Sequence, residues 1–186
     1  MVGSFTFDDH KDGLKNKVKG QPNAGGRPTI IDGATGKAFL LTGDNALNFN
    51  KLGPLDRASP ISISIDLKVP QKMQRAVVVH RSKAWTDAAS RGYELLIEDG
   101  KITWAFSHFW PGNAMRIGMK EELPVGKWIK LTATYDGSSK ASGLKLYLNG
   151  KAVETEVIRD NLTKEIHYGG KGNKTNLAIG ARMRDR

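Results

Sequence analysis

The sequence predicts an all-β protein, built as a two-sheet antiparallel β-sandwich. Three observations carry this prediction. Short segments that alternate apolar and polar residues recur along the chain; Asp-Gly and Asn-Gly pairs join several of them as tight hairpins; and 21 glycines among 186 residues supply the turns that many short strands consume. Strands are predicted near 4–8, 37–42, 45–50, 60–69, 75–81, 92–98, 101–108, 114–119, 127–136, 143–149, 151–157 and 176–182. Residues 10–36 and 159–175, rich in Gly, Lys and Asn, are predicted as long surface loops.

Taken in order, Ile61, Ile63, Ile65, Leu67 and Val69 alternate with Ser62, Ser64, Asp66 and Lys68, a strand with one wet face. Asp99-Gly100 turns Tyr93–Ile97 back onto Ile102–Phe106, a hairpin expected at the centre of one sheet. Ile129, Leu131, Ala133 and Tyr135 share one parity against Lys130, Thr132 and Thr134, and Leu144, Leu146 and Leu148 repeat the pattern. Asn149-Gly150 then supplies two left-handed residues, so Lys151 to Val157 is expected to fold straight back and complete a β-meander. Gly33-Ala34-Thr35-Gly36-Lys37 lacks phosphate-loop spacing and reads as a turn. Two sheets packed face to face, a jelly roll, are the simplest assembly of such strands.

Composition narrows the classes of function. The length suits one domain, and no apolar run approaches the roughly 20 residues that cross a bilayer. The start, MVGSFTFDD, lacks the basic and apolar regions of a signal peptide, so a soluble domain is expected. With no cysteine, disulfides, thiol nucleophiles and thiolate metal sites are excluded. The net charge of +10 favours polyanions in general, but the basic residues are spread over Lys11–Lys19, Lys68–Lys83 and Lys164–Arg186 and read mainly as solvated surface.

The phrase Trp128, alternating strand, Tyr135-Asp136-Gly137, then Leu144 to Gly150 resembles the laminin-G-like, concanavalin A-like lectin and glucanase superfamily. Gly43-Asp44-Asn45-Ala46-Leu47-Asn48-Phe49 and the strand Ile61 to Val69 extend the likeness, which runs from about Phe5 to Ala181. More narrowly, His80-Arg81-Ser82, Ser90 to Leu95 and His108 to Ala114 are similar to the laminin-G-like domains of large multidomain secreted proteins of planctomycete type, which also carry cytochrome-c-like segments. The resemblance implies a concanavalin A-like jelly roll, an exported parent protein and a chain excised from it. It also implies a final Gly-Gly-x-Ile-Asp-Glu strand after Leu177 to Ala181 that this sequence does not contain. One sheet edge is then expected to be replaced or left open for self-association.

A glycosidase of this superfamily needs paired carboxylates, ~5 Å apart if retaining and ~6.5–9.5 Å if inverting. The Glu-x-Asp-x-x-Glu signature is missing, and Glu94 and Glu98 stand four residues apart, ~13 Å along a strand. No Gly-x-Ser-x-Gly elbow occurs, and His10, His80, His108 and His167 have no His-Glu-x-x-His spacing. The expectation is therefore a non-enzyme with no catalytic residues.

The constellation expected to bind ligand is His80, Arg81, Trp85, Asp87, Arg91, Tyr93, His108, Trp110, Asn113 and Arg116. The start of strand 92–98 and the end of strand 101–108 meet at one rim, where aromatic faces stack on sugars and Arg, Asn and Asp bond hydroxyls or carboxylates. The competing reading makes Trp110-Pro111-Gly112-Asn113 a rigid turn, Trp104 and Phe106 core, and His80, Arg91 and His108 a structural network. The parity of Trp128 points it outward, whereas the resemblance implies that it packs under a neighbouring loop.

No cofactor is expected beyond the calcium ion that many superfamily members hold at the rim, for which Asp8, Asp9 and Asp44 are eligible; the missing final strand would ordinarily contribute to it. The preferred function is carbohydrate recognition at this loop rim, with an anionic glycan among the candidates. Docking against other domains of the parent protein is the alternative, a glycosidase the third reading. Nucleic acid is expected to bind only nonspecifically through charge, and no membrane partner is expected.

Overall fold

The computed structural model describes residues 22–25, 29–42, 45–49, 55–84, 89–167 and 177–180. Its strands are β1 (Pro22–Gly25), β2 (Thr29–Asp32), β3 (Lys37–Leu40), β4 (Ala46–Phe49), β5 (Ile61–Lys68), β6 (Arg75–Ala84), β7 (Ala89–Glu98), β8 (Lys101–Phe109), β9 (Asn113–Met119), β10 (Trp128–Tyr135), β11 (Leu144–Leu148), β12 (Lys151–Ala152), β13 (Thr155–Asp160) and β14 (Leu177–Ile179). They form an eight-stranded sheet in the order β1-β4-β14-β6-β7-β8-β9-β13, a four-stranded sheet β12-β11-β10-β5 and the hairpin β2-β3. All named strand pairs are antiparallel. The expected all-β sandwich is the fold. Among the described residues no helix is long and apolar enough to cross a membrane.

Alternation along each strand explains the two layers. Leu95, Ile97, Ile102, Trp104, Phe106, Met115 and Ile117 of the large sheet pack in one cluster with Ile129, Leu131, Ala133, Tyr135, Leu144 and Leu146 of the small one. Trp104 lies edge-on to Phe106 at 4.9 Å and to Tyr93 at 5.9 Å, and Phe106 meets Tyr135 at 4.5 Å. The Trp104 indole donates to the Thr134 carbonyl across the sandwich at 3.0 Å.

Both predicted hairpin turns form, with Asp99 at φ 49° and Gly100 at 81°, and Asn149 at 51° and Gly150 at 80°. The Tyr135-Asp136-Gly137 phrase is also spent on structure. The Tyr135 hydroxyl donates to the Arg57 carbonyl and accepts from the Ser139 amide, and an Asp136 oxygen accepts from the Ser138 amide. A Cβ on Gly137 would stand 2.5 Å from the Ala58 carbonyl oxygen.

Three expectations need correction. Residues 151–157 do not fold back as one strand: β12 pairs with β11 over two residues only, and β13 pairs with β9 in the other sheet. Val153, half-buried against the core, and a hydrogen bond from the Lys120 amide to the Glu154 carbonyl carry the chain across. The stretch 10–36 is not all loop, because β1 pairs with β4 and β2 with β3. Pro22-Asn23-Ala24-Gly25 carries no apolar alternation, so its pairing rests on the backbone. The stretch 159–175 opens as strand, since Arg159 and Asp160 pair with Arg116 and Met115. The predicted strand 4–8 lies outside the described residues.

Candidate functional site

Strands β7, β8 and β9 are buried on both faces, not only on the one that meets the small sheet. On the outer face the floor is made of small side chains, Ala105, Ser107 and Ala114, beside Leu96 and Thr103. Register sets one row across four strands: His80 opposes Glu94, Glu94 opposes Ala105, and Ala105 opposes Arg116. Because Ala105 stops at Cβ, Glu94 and Arg116 meet over it. Arg116 Nη2 donates to Glu94 Oε1 at 2.7 Å and Nη1 to Glu98 Oε2 at 2.9 Å. Thr103 Oγ1 also donates to Glu98, at 3.2 Å. On the far side, His80 Nε2 lies 2.8 Å from Ser82 Oγ and 3.9 Å from Glu94 Oε2.

The indole of Trp110 closes this row, its ring centroid 4.0 Å from the Arg116 guanidinium carbon. Glu94 is 2% exposed and Arg116 6%, while Trp110 is half-buried and borders solvent. The ~13 Å spacing of Glu94 and Glu98 along the strand thus does not keep their carboxylates apart, because one guanidinium binds both. That geometry occupies both carboxylates in ion pairs.

The other predicted site residues fall into separate places. Arg81 and Tyr93 oppose each other across β6 and β7 on the alternate parity, both buried, and Tyr93 belongs to the inter-sheet core. Burial holds the Arg81 guanidinium below its ordinary range, and Tyr93 opposes that shift. Arg91 is half-buried at φ 50°, next to Gly92, whose Cβ would lie 1.8 Å from the Arg81 carbonyl oxygen. His108 Nδ1 is 2.7 Å from the Glu165 carbonyl oxygen. Asn113 ties down the segment 161–164: its Nδ2 donates to Thr163 Oγ1, and its Oδ1 accepts from the amides of Thr163 and Lys164. Trp110-Pro111 is a cis peptide in the β8–β9 turn. Trp85 and Asp87 lie outside the described residues, as do the calcium candidates Asp8, Asp9 and Asp44. Trp128 is half-buried at the end of β10, on the outer face of the small sheet.

From sequence, Glu94 and Glu98 were weighed only as a catalytic pair and not as members of the binding constellation. The available signal was Leu96, apolar at the parity expected to be wet, which marks a strand covered on both faces.

Burial raises the Tyr93 phenol to about 12, with Arg81 offsetting part of the rise. A free phenol titrates near ~10, so the stability contributed by the neutral ring is complete below that pH. It is lost as pH climbs through about 12, an effect on the order of 3 kcal/mol. Denaturant midpoints will fall over this window, and the fall will be smaller in Tyr93→Phe.

The sequence pattern of the concanavalin A-like lectin/glucanases superfamily matches residues 41–185. The chain belongs to this superfamily. No curated protein matches it in sequence. Among solved structures, this superfamily member is similar to the botulinum neurotoxin serotype D ligand binding domain crystallised with N-acetylneuraminic acid, at 17% identity and TM-score 0.66, covering 96% of this chain and 42% of that one. The receptor binding domain of a botulinum neurotoxin C/D mosaic follows at 16% identity and TM-score 0.65, covering 96% and 43%. The serotype C1 binding domain matches at 13% identity and TM-score 0.64, covering 99% and 44%. These likenesses establish a shared fold, and the chain spans less than half the length of each neighbour.

Proposed function

We propose that the chain is a non-catalytic recognition module that binds carbohydrate where Trp110 borders the Arg116–Glu94–Glu98 cluster. The observation that carries this reading is the half-buried indole fixed over a buried, charged row. An aromatic face beside oriented acceptors and a guanidinium is the chemistry that holds a sugar ring and its hydroxyls. The two carboxylates outnumber the guanidinium, so the cluster favours hydroxyl donors over anionic groups. A neutral glycan is the better occupant of this place, and Arg91, whose neighbours Ser90 and Gly92 oppose Phe109 and Ser107, is the cation that β7 brings to the same end of the sheet as Trp110. Engagement of both carboxylates by Arg116 supports a binding role over hydrolysis. A likeness that takes in 96% of this chain but only 42–43% of the neurotoxin binding-domain chains is consistent with a module of a longer protein, in line with the narrower likeness to multidomain secreted chains.

Glycan-array screening of the purified domain, followed by calorimetry, tests the reading. Trp110→Ala and Arg91→Ala are expected to weaken binding by about tenfold or more while a cooperative thermal transition shows that both variants still fold, since a stacked ring contributes ~0.5–1.5 kcal/mol beyond its buried area. Unchanged affinity in both variants contradicts the site.

A docking role is the second reading, favoured by β5. Among the described residues this eight-residue strand pairs only with β10, and Ile61, Ile63, Ile65 and Leu67 are only half-buried on its core side. Concentration-dependent self-association in light scattering would support it.

A further inference from the structure

At the end of the sandwich that carries the β8–β9 turn, Asp56, Glu165 and His167 bring three donor atoms within 4.8 Å of one another. Two belong to carboxylates and one to an imidazole. His167 Nε2 lies 2.9 Å from Asp56 Oδ1 and 3.9 Å from Glu165 Oε2. Donors ~2.0–2.2 Å from a shared zinc ion in tetrahedral geometry stand roughly 3.5 Å apart, a spacing that these two distances bracket.

We propose that these three side chains form a site for a divalent first-row transition ion, zinc being the probe of choice, with water completing the coordination. The imidazole decides the class of ion: it suits zinc, copper and nickel, whereas calcium and magnesium prefer all-oxygen sets. Anchors outside the triad hold its ligands. The Arg57 amide and Nε donate to the two Glu165 carboxylate oxygens at 3.2 and 3.3 Å. His108 holds the Glu165 backbone, and the buried Tyr135 hydroxyl holds Arg57, next to Asp56. The Arg57–Glu165 contact is an ion pair that orients the Glu165 carboxylate, as outer partners orient ligating carboxylates, and that a bound ion would share. The exposed carboxylates of Asp56 and Glu165 and the half-buried imidazole leave room for entry. The inference is independent of glycan binding, although an ion here would stiffen the segment that Asn113 ties to the turn bearing Trp110.

Zinc titrated into the whole chain at neutral pH, in a buffer that does not chelate, tests the proposal by calorimetry and thermal unfolding. One ion per chain, a raised melting temperature reversed by EDTA, and no rise with calcium are expected. Asp56→Asn and His167→Ala should each weaken zinc binding by about tenfold or more. Glu154→Gln, at an exposed ion pair with Lys120 between β12 and β13, should leave it intact. Both site positions are at the surface, so melting without metal confirms that the variants fold. Absence of zinc binding, binding indifferent to His167→Ala, or equal stabilisation by calcium overturns the site.

Discussion

Replacing Arg116 with methionine is expected to cost the domain about 3–5 kcal/mol, because it removes the guanidinium that bonds the buried carboxylate of Glu94 at 2.7 Å. Glu98, more exposed, has Thr103 as a second donor and loses less. Chemical denaturation gives the number. The double variant Arg116→Met, Glu94→Leu should recover most of the loss, since an apolar pair in a buried setting avoids the desolvation of both charges. A cost below about 1 kcal/mol for the single variant would mean that the pair behaves as a solvated surface ion pair. The row over Ala105 would then not be the closed cluster described above.

Trp104→Ala is the second large effect, expected at about 3–5 kcal/mol. Its indole is fully buried and packs on Tyr93 and Phe106, so truncation opens a cavity at the meeting of the two sheets. Trp104→Phe separates packing from hydrogen bonding. It keeps most of the apolar contact and leaves the Thr134 carbonyl without its donor, at about 1–3 kcal/mol. If both variants melted like the native chain, the inter-sheet cluster would not be the core that holds the sandwich together.

The contrast between these residues shows what could be read from sequence. Ile129, Leu131, Ala133 and Tyr135 alternate cleanly because their strand has one wet face, and their pairing with β5 and β11 follows. Trp104 and Phe106 share a parity with Ile102 on β8, a strand that is buried on both faces, so their place in the core was legible from size and apolarity and not from a wet face opposite. Asn149-Gly150 identified its turn, yet the strand beyond it crosses to the other sheet, because a turn fixes the next two residues and not where Val153 finds apolar contact. The site was less legible. His80 and Trp110 were picked out by residue type, but the row that links His80 to Arg116 depends on register across four strands, and β6 contains a bulge between Val77 and Val79 that sequence does not announce. That bulge helps decide which of His80 and Arg81 faces the outer row. The Asp56, Glu165 and His167 cluster joins positions more than 100 residues apart, a distance no local pattern spans.

The most direct test of the recognition reading is a heteronuclear NMR titration of the labelled domain with an oligosaccharide found by array screening. The account predicts that the Trp110 indole and the Arg91 and Arg116 signals shift first and furthest, while Trp128 and Tyr147 on the outer face of the small sheet stay in place. Shifts confined to Trp128 and Tyr147, with Trp110 unmoved, would contradict it.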